Sequence, residues 1–496
     1  MDSNYLYNEL NDTFYILIYI LGKGSYSKVW FSLEFENFHS KIKNKKPLNI
    51  TPRALKIHFV SYDVQEETEI EINKLLLDPI SKKKCSTINY PVSNFIYNDS
   101  NIIVYDIAIG SLYDVMKVFD KKLPIEFIQK IIPQLIKPIE FLHKCKYIHT
   151  DIKPENYLLM GQSQFQKDIV KYTTNYNLGE KLRKLSNSKK LHNSDFKDKI
   201  IIDQLNKFLK LISKTFKLEN NILSNEESDN SFNNESDNES DNESDNESKK
   251  SYYSIISDES LEEDYITVSS YDSRDDEYQS IIDTFHTEKI IKILFKKDQK
   301  KNKNKNKNEN EKNKNEKNKN ENNLIEIEYL LNIFKDPIIK LSDFGTMIKF
   351  GQTNMTVQTR YYRAPEIILG LNFNEKIDLW SLGCLIYELI SGKVLFYTCM
   401  NESINNYDVD LVNIKMILEK IDFEQSQQLL KMINISKRKK CFINNNKCLN
   451  FFKQINNNIW INDLIKTCTL TNDIIIIIKN LLKINFNERK FLNILK

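Results

Sequence analysis

HTDIKPEN, residues 149–156, is the stretch that decides how the rest of this chain is read. It presents a carboxylate at Asp151, an amine two residues on at Lys153, and a carboxamide five residues on at Asn156. In a short loop, Asp151 can accept a hydroxyl proton, Lys153 can stabilise a phosphate in transfer, and Asn156 can ligate a metal ion. His149 is expected to be structural, bonded within the loop. Thr150 stands where a basic residue would be expected.

SDFG at 342–345 adds a second carboxylate, Asp343, suited to a Mg²⁺ ion that bridges nucleotide phosphates. Upstream, GKGSYSKV at 22–29 offers two glycines in a turn between strands, whose N–H groups can approach phosphate oxygens closely. Two glycines in a hairpin are commonly no more than a hairpin, and the stretch lacks the GK[ST] ending of the other phosphate-binding loop. Lys56, in ALKI, lies inside a strand between apolar neighbours, where an unpaired charge is costly to bury. Glu69 and Glu71, on a predicted helix over 64–77, both qualify as its partner, and Glu69 is favoured. A lysine that snorkels to the surface is the alternative.

The bulk numbers frame these motifs. A chain of 496 residues is too long for one core, and two or three units are the prior. Apolar residues at 41% and charged residues at 28% suit a globule, and a formal net charge of +3 gives no global reason to expect nucleic acid. Seven cysteines form no CxxC pair and no zinc-like cluster, which points to a reduced intracellular chain. MDSNYLYNEL lacks the pattern of a secretory leader. The apolar runs at 14–21 and 474–478 fall far short of the roughly 20 residues of a membrane span. They read as a strand and as part of a buried helix. With only ten glycines in the chain, each is expected where a missing Cβ is needed.

Residues 12–109 read mainly as strands, and 110–160 as helical, with apolar helical spacing in IEFIQKIIPQLIKPIEFLHK. Helical patterns return after about 365. Between them, 161–336 shows no sustained fold-like pattern and reads as a low-complexity, mostly disordered spacer. It holds SDNE repeats at 236–247 and a Lys/Asn tract at 300–322. The exception is IIIDQLNKFLKLISKTF at 200–216, where Ile201, Leu205, Phe208, Leu209, Ile212 and Phe216 share a helical face.

Together these motifs, with RAPE at 363–366 and DLWSLGC at 378–384, resemble a eukaryotic-type protein kinase over roughly 12–160 and 337–496. The resemblance implies an α+β bilobal kinase fold with a small β-rich N-lobe (12–109) and a larger helical C-lobe (110–160 and 337–496). It implies ATP and Mg²⁺ as cofactors, with Lys56 on the nucleotide phosphates, Asp151 as catalytic base, and Asn156 and Asp343 as metal ligands. Gly22, Lys23, Gly24, Ser25, Ser27, Val29 and Ala54 would line the nucleotide site. Asp106 and Ala108 would offer hinge backbone groups to adenine behind Tyr105, and Glu69 would brace Lys56. Glu366 would pair with Arg489, and Asp378 would hold the catalytic loop backbone.

Lys153 after the aspartate resembles serine/threonine kinases, in which Thr359 would face Asp151 and Lys153. QTRYYRAPE resembles the CMGC group. Within it HTDIKPEN, Ser27 and the long insert resemble the SR-protein kinases, which phosphorylate Arg-Ser repeats. The chain departs from that family in DFG and RAPE, and Ile417 falls where a docking acid is expected, while Asp410 matches one. Thr346 leans toward threonine acceptors. The reading is an active monomeric Ser/Thr kinase of cytoplasm or nucleus, with protein substrates and neither membrane nor nucleic-acid partners. Thr150 cannot pair with a phosphorylated activation loop, so activity without loop phosphorylation is expected. A scaffold that uses its spacer is the alternative.

Overall fold

The computed structural model describes residues 5–24, 27–44, 46–59, 85–119, 121–186, 194–216, 333–352, 355–397, 406–439 and 472–491. In chain order the first elements are β1 (Tyr5–Asn8), β2 (Thr13–Lys23), β3 (Ser27–Phe35), α1 (Phe38–Lys43) and β4 (Thr51–His58). Then come β5 (Pro91–Tyr97), β6 (Ser100–Asp106), β7 (Ala108–Ser111), α2 (Leu112–Val118), α3 (Ile125–Lys144), β8 (Tyr147–Ile148) and β9 (Tyr157–Met160). Helices α4 (Gln164–Tyr176), α5 (Leu178–Ser186) and α6 (Ser194–Phe216) follow. The last part holds β10 (Ile339–Leu341), β11 (Ile348–Lys349), α7 (Pro365–Ile368), α8 (Ile377–Ser391), α9 (Asn406–Lys420), α10 (Phe423–Ile435) and α11 (Asn472–Leu481). This is the expected α+β order of a kinase fold, β-rich first and helical after.

The chain divides into two compact units, 1–51 with 172–281 and 52–171 with 282–496. In the first, β1, β2 and β3 form an antiparallel meander. β2 is the apolar run at 14–21, and its Phe14–Ile18 stretch is buried. Phe14 stacks on Tyr5 and on Phe38 of α1, so β1 and α1 close over residues that β2 and β3 leave apolar. The sequence reading began the lobe at 12 and did not include these two short elements.

Residues 161–216 depart from the expectation of a patternless spacer. α4 buries Gln166, Ile169 and Thr173, with Ser163 just before it. The spacing is helical, but three of those four residues are polar, so apolar periodicity did not mark the helix. α6 behaves as its face predicted: Leu205, Phe208, Leu209 and Ile212 are buried. Phe208 packs on Tyr176 and Gln204 donates to the Tyr176 hydroxyl at 3.0 Å. The SDNE repeats and the Lys/Asn tract lie outside the described residues, as does the helix expected over 64–77.

The second unit holds β4, β6 and β5 as an antiparallel set, and a helical core. α3 buries Phe127, Ile128, Ile131, Ile132, Leu135, Ile139 and Leu142, a stripe strong enough to carry Pro133 and Pro138 inside the helix. α8 is buried from Ile377 to Ile390, which explains its apolar run on all sides. Gly383 is the glycine that packing requires: a Cβ there would lie 2.8 Å from Leu482 of the segment after α11. Gly24 carries no such constraint, since a Cβ would meet the Ser27 carbonyl at an ordinary 3.7 Å. α11 buries Ile474, Ile475, Ile477 and Ile478, as the isoleucine run predicted. No helix among the described residues is long and apolar enough to cross a membrane.

Candidate active site

The spacer leaves and rejoins the fold at neighbouring strands. β9 and β10 pair antiparallel, with Leu159 opposite Ile339. Gln134 of α3 grips the returning chain, donating to the Pro337 carbonyl at 2.7 Å and accepting from Ile339 N–H at 2.8 Å. HTDIKPEN precedes β9 and SDFG follows β10, so this pairing brings two loops together that lie nearly 190 residues apart in the sequence.

Asp378, fully buried at the start of α8, organises the first loop. Its carboxylate accepts from the N–H of His149 at 2.8 Å and of Thr150 at 2.9 Å, and bonds His143 Nε2 at 2.9 Å. The His149 ring then spans the two loops. Its Nδ1 accepts from Asp151 N–H at 3.3 Å, which leaves Nε2 to donate to the Ser342 carbonyl at 3.2 Å. Phe344 packs edge-on against that ring and is completely buried.

Within this frame, Asp151, Lys153 and Thr359 converge. Lys153 Nζ lies 2.8 Å from Asp151 Oδ2 and 3.2 Å from Thr359 Oγ1. The Thr359 hydroxyl donates to Asp151 Oδ1 at 2.6 Å. Burial works against a charged Asp151, but the Lys153 cation and the hydrogen bonds of Lys153 and Thr359 outweigh it and hold the carboxyl below its usual range. Burial likewise opposes the Lys153 charge, and the carboxylates of Asp151 and Glu155 overcome it and raise the amine. Asp151 is thereby kept as an acceptor and Lys153 as a cation. Such a pair can hold a hydroxyl and take its proton.

Asn156 turns its amide nitrogen inward, donating to the Asp151 carbonyl at 2.7 Å and to Asp151 Oδ2 at 3.0 Å. Lys56 Nζ lies 2.9 Å from Asp343 Oδ1, and the Lys56 cation is the first cause that lowers the Asp343 carboxyl to about 2. Lys56 thus pairs with Asp343. Glu69 and Glu71, expected in that place, lie outside the described residues. Among the described residues no group of three or more His, Cys, Asp and Glu is placed to hold a metal ion. Asp343 and Asn156 offer hard oxygen donors, a sparse set that suits Mg²⁺, which keeps water and substrate phosphate oxygens in its shell. The residues present fit that ion.

The remaining expected nucleotide residues divide between the two units. Ala54 is buried on β4 opposite Tyr105 and shares a strand face with Lys56. Asp106 ends β6, with its carboxylate paired to Arg53. The Ala108 carbonyl accepts from Gln166 Nε2 of α4 at 3.2 Å. In the first unit Gly22 and Lys23 close β2, Ser27 and Val29 open β3, and Gly24 N–H bonds the Ser27 carbonyl at 2.8 Å. Ser25 lies outside the described residues.

Several contacts had no signal in the sequence. Gln358, at φ +74°, accepts from Arg363 Nε and Nη2 through its carbonyl, while its side chain donates to Ser381 Oγ at 2.8 Å. Tyr362 donates to buried Glu388 at 2.6 Å, and burial raises that carboxyl to about 7. The Thr150 hydroxyl donates to the Thr346 carbonyl, and the Thr346 hydroxyl to the His149 carbonyl. Each needs partners from different elements, which no local spacing encodes.

Residues 319–492 match the protein kinase domain family. A serine/threonine-protein kinase of Acanthamoeba polyphaga mimivirus, L205, is 28% identical over 414 residues, covering 77% of this chain and 68% of that protein. Serine/threonine-protein kinase AFC1 of Arabidopsis thaliana is 50% identical over 74 residues, 15% of this chain and 16% of its own. Homeodomain-interacting protein kinase 1 of Caenorhabditis elegans is 57% identical over 60 residues, 12% of this chain and 7% of its own. A crystal structure of a kinase domain covers 96% of this chain with 15% identity and a TM-score of 0.46.

Proposed function

We propose that this serine/threonine protein kinase, whose relatives include members of the CMGC group, transfers the γ-phosphate of ATP in line to Ser/Thr hydroxyls without needing a phosphorylated activation loop. The observation that carries the chemistry is the Thr359 hydroxyl, held by Asp151 at 2.6 Å and by Lys153 at 3.2 Å. A substrate hydroxyl is the same group, and the same pair can hold it.

In this reading Asp151 orients the acceptor hydroxyl and takes its proton at a carboxylate oxygen as the bond to phosphorus forms. Lys153 remains a cation beside the phosphoryl oxygens. Lys56 holds nucleotide phosphates on one side and keeps Asp343 ionised on the other. Asn156 and Asp343 would hold Mg²⁺, which when bound neutralises the charge that develops on the phosphates. Asn156 also locks Asp151 in place through its amide nitrogen. Gly22, Lys23, Gly24, Ser25, Ser27, Val29, Ala54, Asp106 and Ala108 complete the nucleotide-binding proposal.

Independence from loop phosphorylation rests on Thr150, which carries no charge to offer a phosphate and is already bonded. Phosphatase treatment of the pure protein is expected to leave its activity intact, and loss of activity would overturn the point. The SR-protein kinase affinity rests on HTDIKPEN, Ser27 and the insert. Asp410, the acid matched to that family's docking groove, is 2.8 Å from Arg438, and Ile417 is buried. Selection of arginine-rich substrates therefore finds little support on α9. Peptide arrays with and without arginine beside the acceptor test it, and a strong arginine requirement would restore the Arg-Ser assignment. Monomeric behaviour and a cytoplasmic or nuclear location complete the reading.

Asp151→Asn tests the whole. Loss of transfer with nucleotide binding kept supports it. A cellular role undiminished by this change would favour a scaffold.

A further inference from the structure

We propose that Thr150 is a positioning residue whose hydroxyl sets the metal-binding carboxylate of Asp343, by fixing the backbone that follows it. Thr150 Oγ1 donates to the Thr346 carbonyl at 2.7 Å, three residues after Asp343. Thr346 Oγ1 returns a longer bond to the His149 carbonyl at 3.4 Å. The two loops are thus tied by their hydroxyls on one side, and by His149 Nε2 to Ser342 on the other. Asp343 lies between the two ties.

The backbone argues that this arrangement is held against resistance. Thr150 has φ +68° and Asp343 φ +63°. A β-branched residue at positive φ is a genuine outlier, and such strain persists only where the surroundings over-determine it. At Thr150 they do: the N–H is held by buried Asp378, the side chain is 1% exposed, and the hydroxyl is bonded to Thr346. Asn or Gly would adopt this φ more easily. Neither carries a hydroxyl that can reach the Thr346 carbonyl from this backbone in the same way. The threonine therefore trades backbone ease for a fixed bond to the Asp343 loop. In this chain that bond does uncharged what an ion pair with a phosphorylated residue could do.

The inference rests on the proposed kinase site, with Asp343 as the metal carboxylate. Glycine and serine at 150 separate the hydroxyl from the strain, because both lack the β-branch and only serine keeps the hydroxyl. The full-length wild type, Thr150→Gly, Thr150→Ser and Asp343→Asn would be titrated with a non-hydrolysable ATP analogue by calorimetry, with and without Mg²⁺. Thr150→Gly is expected to lose about tenfold of the Mg²⁺-dependent gain in affinity, the size of one lost hydrogen bond to a buried carbonyl. Its metal-free affinity should be unchanged, and Thr150→Ser should stay within about twofold of wild type. A general loss of structure would lower both affinities together. If Thr150→Gly and Thr150→Ser gain equally from Mg²⁺ while Asp343→Asn does not, the positioning role is overturned and the site stands. If Asp343→Asn gains as the wild type does, the metal assignment and this inference fall together.

Discussion

Lys56 and Asp343, 287 residues apart in sequence, meet at 2.9 Å. The lysine lies on a strand face between apolar residues, and its charge is compensated by the carboxylate of the SDFG loop. The pair joins β4 to the SDFG loop, the proposed nucleotide and metal elements, so removing the cation should disturb both. Lys56→Met is expected to lower kcat/KM for ATP by about 10²–10³, the scale for losing one preorganised electrostatic group. A steady-state titration of ATP checks this, and a value near wild type would remove Lys56 from the site.

Thr359 should matter through its hydroxyl alone. Thr359→Ser keeps the donor to Asp151 and the acceptor for Lys153, so its activity should stay within a few-fold of wild type. Thr359→Val keeps the shape and leaves both partners short of a bond, at a cost of about 1–3 kcal/mol per buried group. A fall in kcat of roughly tenfold or more is the expected reading. Equal rates for the two variants would show that the contact is incidental.

Glu388 gives a pH signature. Burial raises its carboxyl from 4.5 to about 7, with Tyr362 bonded to it and Glu155 and Cys384 among its ionisable neighbours. The native state keeps a proton that the unfolded chain releases above about pH 4.5. Its contribution to stability therefore falls as pH rises from about 4.5 to about 7, and is flat above. Glu388→Gln keeps an acceptor for Tyr362 and should flatten this slope, measured as urea midpoints from pH 4.5 to 8. An unchanged slope would place the titrating group elsewhere.

The Glu366–Arg489 pair should be among the costliest to break. Both side chains are fully buried, the two contacts are 2.6 and 2.8 Å, and Arg489 also donates to the carbonyls of Lys483, Lys376 and Ile484. Glu366→Ala leaves a buried cation without its partner, at about 3–5 kcal/mol. Denaturant unfolding of the variant checks this, and a loss under about 1 kcal/mol would mean that the arginine finds solvent or another acid.

Deleting residues 225–323 should leave folding and transfer intact. β9 pairs with β10, and Lys130 and Gln134 hold the returning chain at 333–339, independently of the deleted stretch. Loop closure changes by only about 0.6 kcal/mol per doubling of length. A melting temperature near that of wild type with altered cellular location would assign the spacer to targeting. Loss of both folding and activity would contradict its independence.

Much of this was readable from local pattern. The strand at 14–21, the isoleucine helix at 474–478, the stripe on α3 and the apolar face of α6 follow from side-chain period, because a helix or strand sets its own repeat. HTDIKPEN and SDFG carried the class of chemistry, because the spacing of Asp151, Lys153 and Asn156 within one loop is itself the arrangement of groups. α4 escaped notice because its buried positions are mostly polar.

What the tertiary structure alone decided are the pairings between distant segments. The sequence offered Glu69 or Glu71 to Lys56, both outside the described residues, and the fold adds a contact with Asp343 that no spacing suggested. The sequence showed that Thr150 lacks a charge, and only the fold showed its hydroxyl tied to Thr346. The reason is physical: spacing fixes neighbours within one turn or strand, whereas a hydrogen bond between loops depends on where buried Asp378 and the β9–β10 pairing hold each backbone.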